Sequence, residues 1–320
     1  MNSTKQSRPS PHRTRQIIAS AASRRDNSRE AGALFSPLPT SEGRSVRQDS
    51  LIASAETVEA AFMYQYVSKA PPSVARALGI TSARIGGGVV LSMRNDPTDY
   101  WNKALGFGFS EPVSAELIDE VIDFYRARDS PKTVIQIAPA ALPADWHDIC
   151  QRHDLRRGAV SLKLACHADE FHPTGHTGLR VGRVTPQDIG LWATTTLRGF
   201  QMPTDHLADM LESSASDHTF RPFAAWDRAE MVATGNLLVQ GDVASLNSGA
   251  TLPSHQNRGA QSALIALRGE EALKARCTWL VAEAAKPSEG ESNPSLNNLK
   301  RAGLRLQYER CDWVWHTSPT

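Results

Sequence analysis

The segment 251–264, TLPSHQNRGAQSAL, has the residue types of an anion-binding corner. A strand-like stretch ends at Thr251, Pro253 turns the chain, and a helical apolar period opens near Gly259. A strand-to-helix junction of this kind presents unpaired backbone N–H groups and the positive end of a helix dipole, which suit a diphosphate. Gly259 permits close approach to the backbone, and Gln256 and Arg258 add side-chain donors. The pattern is neither GxGxxG nor GxxxxGK followed by Ser or Thr, so neither a Rossmann turn nor a P-loop is predicted. An ordinary strand-to-helix turn would leave the same trace.

Other chemistries find less support. Cys150, Cys166, Cys277 and Cys311 form no CxxC pair, and the ten histidines form no HExxH motif. Neither a disulfide scaffold nor a bound metal is expected, and the cysteines read as small buried hydrophobes in a reducing cytoplasm.

Periodicity supplies the elements that must hold the corner. Residues 54–68 carry Val58, Ala61, Phe62 and Tyr66 at near-helical spacing. Residues 84–93 read as a strand bent at Gly86–Gly88, 114–128 as an amphipathic helix entered at Ser114, 133–137 as a buried strand, 144–154 as a helix and 159–164 as a strand. A linker-like stretch surrounds Pro173 and Gly175. Strand 179–184, helices 186–197 and 205–213, and strands 220–226, 231–239 and 242–251 follow. Helix 256–275, strand 279–284, helix 293–302 (closed by Gly303) and strands 306–310 and 313–316 complete the chain. The result is a mixed α/β architecture. Helix, strand, helix, strand from 114 to 164 repeats from 256 to 310, which points to an internal duplication.

The corner resembles the acetyl-coenzyme-A signature of the GCN5-related N-acetyltransferases (GNATs), (Gln or Arg)-x-x-Gly-x-(Gly or Ala). Gln256 and Gly259 occupy the first and fourth positions, and Gln261 stands where Gly or Ala is usual. The stretch from Asn293 to Leu304 resembles the family's second ligand-binding helix. The resemblance implies an acyl-CoA N-acyltransferase fold, in two tandem GNAT-like domains, with acetyl-CoA as cosubstrate and no metal. It implies that Ala250 and Leu252 lend backbone groups to the pantetheine arm, that the amides of Arg258, Gly259, Ala260, Gln261 and Ser262 wrap the pyrophosphate, and that Asn293 and Asn297 hold the cofactor. The strands ending at Thr251 and beginning at Trp279 would splay to admit the thioester.

The family's acid tyrosine falls at Leu299, so that residue type is missing here. Tyr308 replaces it only if its hydroxyl folds back into the cleft. Glu283, ending a strand beside the splay, is the general-base candidate, directly or through water; a solvated carboxylate or an anchor for the substrate amine reads equally from its position. Asn247 and Ser248 would orient substrate or water. Phe200 and Met202 lie where the resembled family builds its acceptor wall, and Trp192 or Trp226 would line the pocket if they are not core residues.

The first half carries a decayed version of the corner, LGFGFSEPVS at 105–114. Glu111 opposes a diphosphate and Pro112 removes a donor, so no cofactor is expected there; its task would be to shape the second half's cleft. The expected organisation is a disordered basic tail at 1–50, a degenerate GNAT-like domain at 51–170, a linker at 171–178 and the acetyl-CoA-binding catalytic domain at 179–320.

Composition bounds the partners. The formal charge is +1 and no apolar run is long enough to span a membrane. Residues 1–50 hold nine basic and four acidic side chains. They bury too little to offset ordering. A plain tail, an upstream start, a nucleic-acid or partner-binding arm and a transit peptide all fit that composition. Cytoplasmic transfer of an acetyl group to the primary amine of a small molecule is the leading expectation, with no membrane role, nucleic acid disfavoured and a homodimer left open. A catalytically silent acyl-CoA sensor or scaffold and an enzyme acting on a protein or tRNA amine are the alternatives.

Overall fold

The computed structural model describes residues 41–173 and 175–317. The first half of the chain supplies helices α1 (Ser41–Ser68) and α2 (Pro72–Leu78), strands β1 (Ile80–Ile85), β2 (Gly88–Met93) and β3 (Lys103–Leu105), helix α3 (Ala115–Arg126), strand β4 (Lys132–Gln136), helix α4 (Trp146–His153) and strand β5 (Arg156–His167). The second supplies β6 (Arg180–Arg183), α5 (Ile189–Gly199), α6 (Leu207–Ala215), β7 (Phe220–Asp227), β8 (Glu230–Gln240), β9 (Val243–Thr251), α7 (Ala260–Lys274), β10 (Trp279–Ala285), α8 (Pro294–Arg301) and β11 (Arg305–His316). All these strands join one mixed sheet, in the order β1-β2-β3-β4-β11-β5-β10-β9-β8-β7-β6.

The duplicated units are β3-α3-β4-α4-β5 and β9-α7-β10-α8-β11. Each has exchanged its last strand with the other. β11 pairs with β4, β5 pairs with β10, and β5 and β11 pair with one another at the centre, all antiparallel. The halves therefore share one sheet, and the boundary near residue 170 in the chain is not a boundary in the sheet.

Side chains alternate across the sheet, so strands such as β2 and β10 feed two cores. On one face α1, α5 and α6 pack through Val58, Met63, Tyr66, Trp192, Leu197 and Met210. On the other, α7 and α8 cover the second half through Leu264, Ile265, Leu296 and Leu299, and α3 and α4 cover the first through Ile118, Ile122 and Ile149. Local signals set the helix ends. Ser114 Oγ accepts from Leu117 N at 3.3 Å to open α3, and Asn293 Oδ1 accepts from Leu296 N at 3.1 Å to open α8.

Four details differ from the sequence reading. α1 opens at Ser41, inside the segment expected to be a disordered tail; residues 1–40 of that tail lie outside the described residues. The strand expected at 84–93 is the hairpin β1-β2, because Gly86 and Gly87 both take positive φ (51° and 73°), as a two-residue hairpin turn requires. The two strands expected at 306–316 are one strand, β11, with an irregularity between Cys311 and Trp313. α2 and the three-residue β3 are too short to show a period.

Candidate functional site

β9 and β10 pair in parallel only through Trp279↔Val243, Leu280↔Ala244 and Val281↔Ser245. Beyond that they part, β9 continuing to Thr251 and β10 to Ala285. A bulge bends β9 at the same level. Asn247 pairs with Asn236 and Ala250 with Thr234, so β9 spends one residue more than β8. Ser248 takes φ 52° there, a region disfavoured for serine.

Two side chains from α7 hold the bulge from below. Gln261 Nε2 donates to Ala250 O at 2.7 Å, Thr234 O at 3.0 Å and Thr251 Oγ1 at 3.1 Å. Arg268 Nη1 donates to Asn247 O at 3.0 Å and Asn236 O at 3.1 Å. Gln261, the departure from the signature, thus serves the sheet.

The bulge also shifts which backbone groups face the gap. Leu252 N donates to Val232 O at 2.9 Å, and alternate residues of an antiparallel ladder bond to the same neighbour. Ala250 and Leu252 therefore turn their polar groups toward β8, contrary to expectation, and Thr251 turns its own toward β10.

At the start of α7 the amides of Arg258, Gly259, Ala260, Gln261 and Ser262 donate to no described residue. A diphosphate would take such donors, and the linker passes against them: a Cβ at Gly175 would lie 2.7 Å from Ser262 C and 2.8 Å from Ala263 N. Gly259 (φ 78°) has a second reason to be glycine, because a Cβ there would overlap the His176 carbonyl oxygen. Thr177 Oγ1 donates to Arg258 O at 2.8 Å, so the linker lies along this turn. Gln256 is half-buried and bonds to no described residue, whereas the Arg258 side chain leaves the turn to pair with Asp227 at 2.8 Å. Asn297 is exposed. Asn293, expected to hold cofactor, is occupied: besides capping α8 it donates from Nδ2 to Ala285 O at 2.8 Å.

On the α1 face of the gap Asn247 and Ser248 meet one another, and Glu283 meets the cations that hold Glu56 and Glu59 of α1. Ser248 Oγ donates to Asn247 Oδ1 at 3.0 Å, which also accepts from Asn236 Nδ2 at 3.0 Å. The hydroxyl of Tyr66 lies 2.8 Å from Ser248 Oγ. Ser248 has spent its proton on Asn247, so Tyr66 donates. Burial holds the Tyr66 phenol above its ordinary range, partly offset by the bond to Ser248, and so keeps it neutral.

Glu283 stands two residues past the last β9–β10 pair. Its Oε2 meets Arg310 Nη2 at 2.6 Å and Lys163 Nζ at 3.4 Å. These belong to a buried ionic group that the sequence reading missed. Arg310 also binds Glu56 at 2.5 Å and Glu59 at 2.8 Å, and Lys163 pairs with Glu59. Burial would raise the Glu59 carboxyl, but Arg310 and Lys163 prevail and hold it well below the usual range. Glu283 is the member with appreciable exposure, its side chain being 27% accessible. Part of the signal was present as charges in buried phase: Lys163 within an apolar strand, and Glu56 and Glu59 on the helical stripe that continues to Met63 and Tyr66; Arg310 stands in a polar stretch that gives no such sign.

Tyr308 is committed to the ionic group, and two predicted tryptophans lie elsewhere. The Tyr308 hydroxyl donates to Glu56 Oε1 at 2.7 Å; β5 and β10 separate its strand from the gap, and burial and Glu56 drive its phenol far above the ordinary range. Trp192 is fully buried, with Nε1 donating to Phe223 O at 3.2 Å. Trp226 is a core residue beside the edge strand β6, stacked under Arg180. Phe200 and Met202 sit closer. A Cβ at Gly199 would lie 2.8 Å from Ala250 Cβ, so the end of α5 abuts β9. Phe200 is exposed just beyond it, and Met202 packs against the core. Leu299 points into the core with α7.

In the first half, Ser114 caps α3 with its own side chain and Phe107 is buried against Gly88. Among the described residues no helix is long and apolar enough to cross a membrane, and no group of three or more His, Cys, Asp or Glu is arranged to hold a metal.

No family model matches the sequence. No curated protein matches it either. Solved structures do match the fold. A GCN5-related N-acetyltransferase from Kribbella flavida superposes with a TM-score of 0.55 at 13% identity, over 84% of this chain and 96% of that one. A tandem GNAT protein from the clavulanic acid biosynthesis pathway gives 0.55 at 14% identity, over 89% and 98%. A functionally unknown conserved protein from Staphylococcus epidermidis gives 0.52 at 11% identity, over 75% and 96%. The chain has the GNAT fold, an acyl-CoA N-acyltransferase architecture in tandem form.

Proposed function

We propose that this chain is an acyltransferase that moves an acetyl group from acetyl-CoA to a primary amine of a small molecule. One observation carries the reading: the β9–β10 ladder stops after Val281↔Ser245, next to a helix whose first amides have no partner among the described residues. The amides of residues 258–262 would hold the diphosphate, and the gap-facing backbone of Thr251 would bond the pantetheine arm as a strand partner. Bound acetyl-CoA supplies an activated thioester carbonyl.

The other residues work on the acceptor. Glu283 Oε2 is fixed by Arg310 and Lys163, leaving Oε1 to hold the amine at the edge of the gap. With Oε2 held by two cations, Glu283 is placed to anchor the amine through Oε1. Tyr66 and Asn247 fix the Ser248 hydroxyl at the bulge. α1 crosses this face, with Glu56 and Glu59 at one end and Tyr66 at the other, which favours a compact acceptor over a protein tail.

Calorimetry with CoA, then thiol release from acetyl-CoA across a panel of amines with mass analysis of the product, tests the proposal. Glu283→Gln should raise KM for the amine about tenfold with CoA affinity unchanged. Absence of CoA binding would end the reading. A second reading, a silent acyl-CoA-binding scaffold, is favoured by Leu299 in the core and by the distance of Tyr308 from the gap; CoA binding without turnover on any amine would select it.

A further inference from the structure

Arg268 is a buried cation without a carboxylate partner among the described residues. Its guanidinium donates to three carbonyls, Leu264 O at 3.0 Å, Asn236 O at 3.1 Å and Asn247 O at 3.0 Å. Among the described residues it makes no ion pair, whereas the buried cations Lys163 and Arg310 each face glutamates. It is only 2% exposed. Burial pulls its pKa down to about 10, so it remains charged at neutral pH.

Its place is the underside of the bulge. A Cβ at Gly235 would lie 2.6 Å from Arg268 Cζ, and one at Gly249 would lie 3.9 Å from Nη2. The side chain therefore fills space that two small residues, on β8 and β9, leave open. A neutral donor would suffice to satisfy bulge carbonyls; Gln261 does this for Ala250 and Thr234. Isolated buried charge is strongly unfavourable, and what Arg268 adds over an amide is charge, set on the Asn247 carbonyl of the strand that walls the gap.

We infer that Arg268 is a positioning residue that fixes the β9 bulge and lends positive charge to the gap, where it stabilises the sulfur anion of the departing coenzyme. The sulfur keeps the bonding electron pair when the acyl carbon bonds to the amine nitrogen, whose proton passes to solvent. Leu299 has no proton to give, Tyr308 gives its own to Glu56 and Tyr66 is bonded to Ser248, so charge serves the sulfur in place of a tyrosine acid. The inference rests on the acyl-CoA reading, and its test separates the two.

The test is the thiol pKa of CoA bound to the full chain, followed by ultraviolet thiolate absorbance against pH, with desulfo-CoA as the blank for the protein's own cysteines and tyrosines. Calorimetry first establishes binding; if CoA does not bind, the acyl-CoA reading and this inference both fall. With CoA bound, the thiol should titrate below free CoA by on the order of one unit. Arg268→Lys should keep most of that shift, and Arg268→Gln, which retains a donor but no charge, should abolish it with CoA affinity within about threefold. A bound thiol unshifted or raised in the natural protein overturns the inference outright, whether or not the variants fold. So does an equal shift in Arg268→Gln.

Discussion

The hydroxyl of Tyr66 and Oγ of Ser248 lie 2.8 Å apart, although 182 positions separate them in the chain. The bond ties α1, from the first half, to the strained residue of the β9 bulge in the second. Tyr66 also packs edge-on against Phe62, Trp101 and Phe220, so its ring is fixed before its hydroxyl is used. Tyr66→Phe keeps the ring and removes the donor. Unfolding in denaturant should show a loss of about 1 kcal/mol, with the larger effect on the amine's KM if Ser248 helps to place the acceptor. A variant as stable as the natural protein would show that the bond contributes nothing to the fold.

The ionic group on α1 makes an acid-stability prediction. The Glu59 carboxyl is held below its ordinary 4.5 in the folded chain. A depressed carboxyl contributes stability that is complete above the unfolded value and is lost as pH falls below it. Stability should therefore decline below about pH 4.5. Arg310→Met removes the main counter-charge from Glu56 and Glu59 and should cost about 3–5 kcal/mol at neutral pH, with the acid limb moving to higher pH. Denaturant midpoints across pH, compared between the two proteins, decide the matter; identical acid limbs would show that Arg310 does not hold Glu59 down.

At the alkaline end the sign is reversed. Tyr66, Tyr125 and Tyr308 are each buried and held above the ordinary 10.0 of a phenol. Below that value both folded and unfolded phenols are protonated, and stability is complete. Above it the unfolded chain loses protons that the folded chain keeps, so stability falls as pH rises past about 10. Ultraviolet titration should show these three phenols ionising only with unfolding. Ionisation of all five tyrosines at an ordinary pKa in the folded protein would contradict their burial.

Much of this fold is legible in the sequence because most of its elements are long and periodic. The helix stripe Leu117, Ile118, Val121, Ile122, Tyr125 is buried as its spacing predicts, and the order of elements on either side of the two corners exposes the duplication. What is not legible depends on partners distant in the chain. Nothing local to 156–167 or 305–316 says that these strands trade places between the halves. Nor can a local pattern show that Glu283 faces Arg310, or that Tyr66 reaches Ser248; only a helix laid across the sheet brings them together. The bulge explains the site's main misreading. One extra residue near Ser248 reverses which backbone groups of Ala250, Thr251 and Leu252 face the gap.

Gln261 tests whether the bulge is held from the α7 side. Gln261→Ala restores the small residue of the GNAT signature and removes the donor shared by Ala250 O, Thr234 O and Thr251 Oγ1. Unsatisfied buried carbonyls should cost about 1–3 kcal/mol. Hydrogen exchange should quicken at amides around the bulge, with α3 and α4 unchanged as an internal reference. A stability gain would mean that the glutamine strains the corner.

Leu299 stands where the resembled family places its acid tyrosine, and the tempting repair is Leu299→Tyr. The geometry argues against it. Leu299 is 5% exposed and packs with Leu264, Leu296 and Leu304 beneath the sheet, so a ring and hydroxyl there must enter a filled core. Overpacking should cost about 1–3 kcal/mol, and burying the hydroxyl without a partner adds to the loss. Turnover should not rise, because the new phenol has no route to the gap while α8 is anchored by Asn293 to Ala285 O. Thermal unfolding and thiol-release rates on the same preparation distinguish the outcomes. Lower stability with no gain in rate supports a site that works without a tyrosine acid on α8, whereas unchanged stability with faster turnover would show that this face of α8 turns toward the cleft.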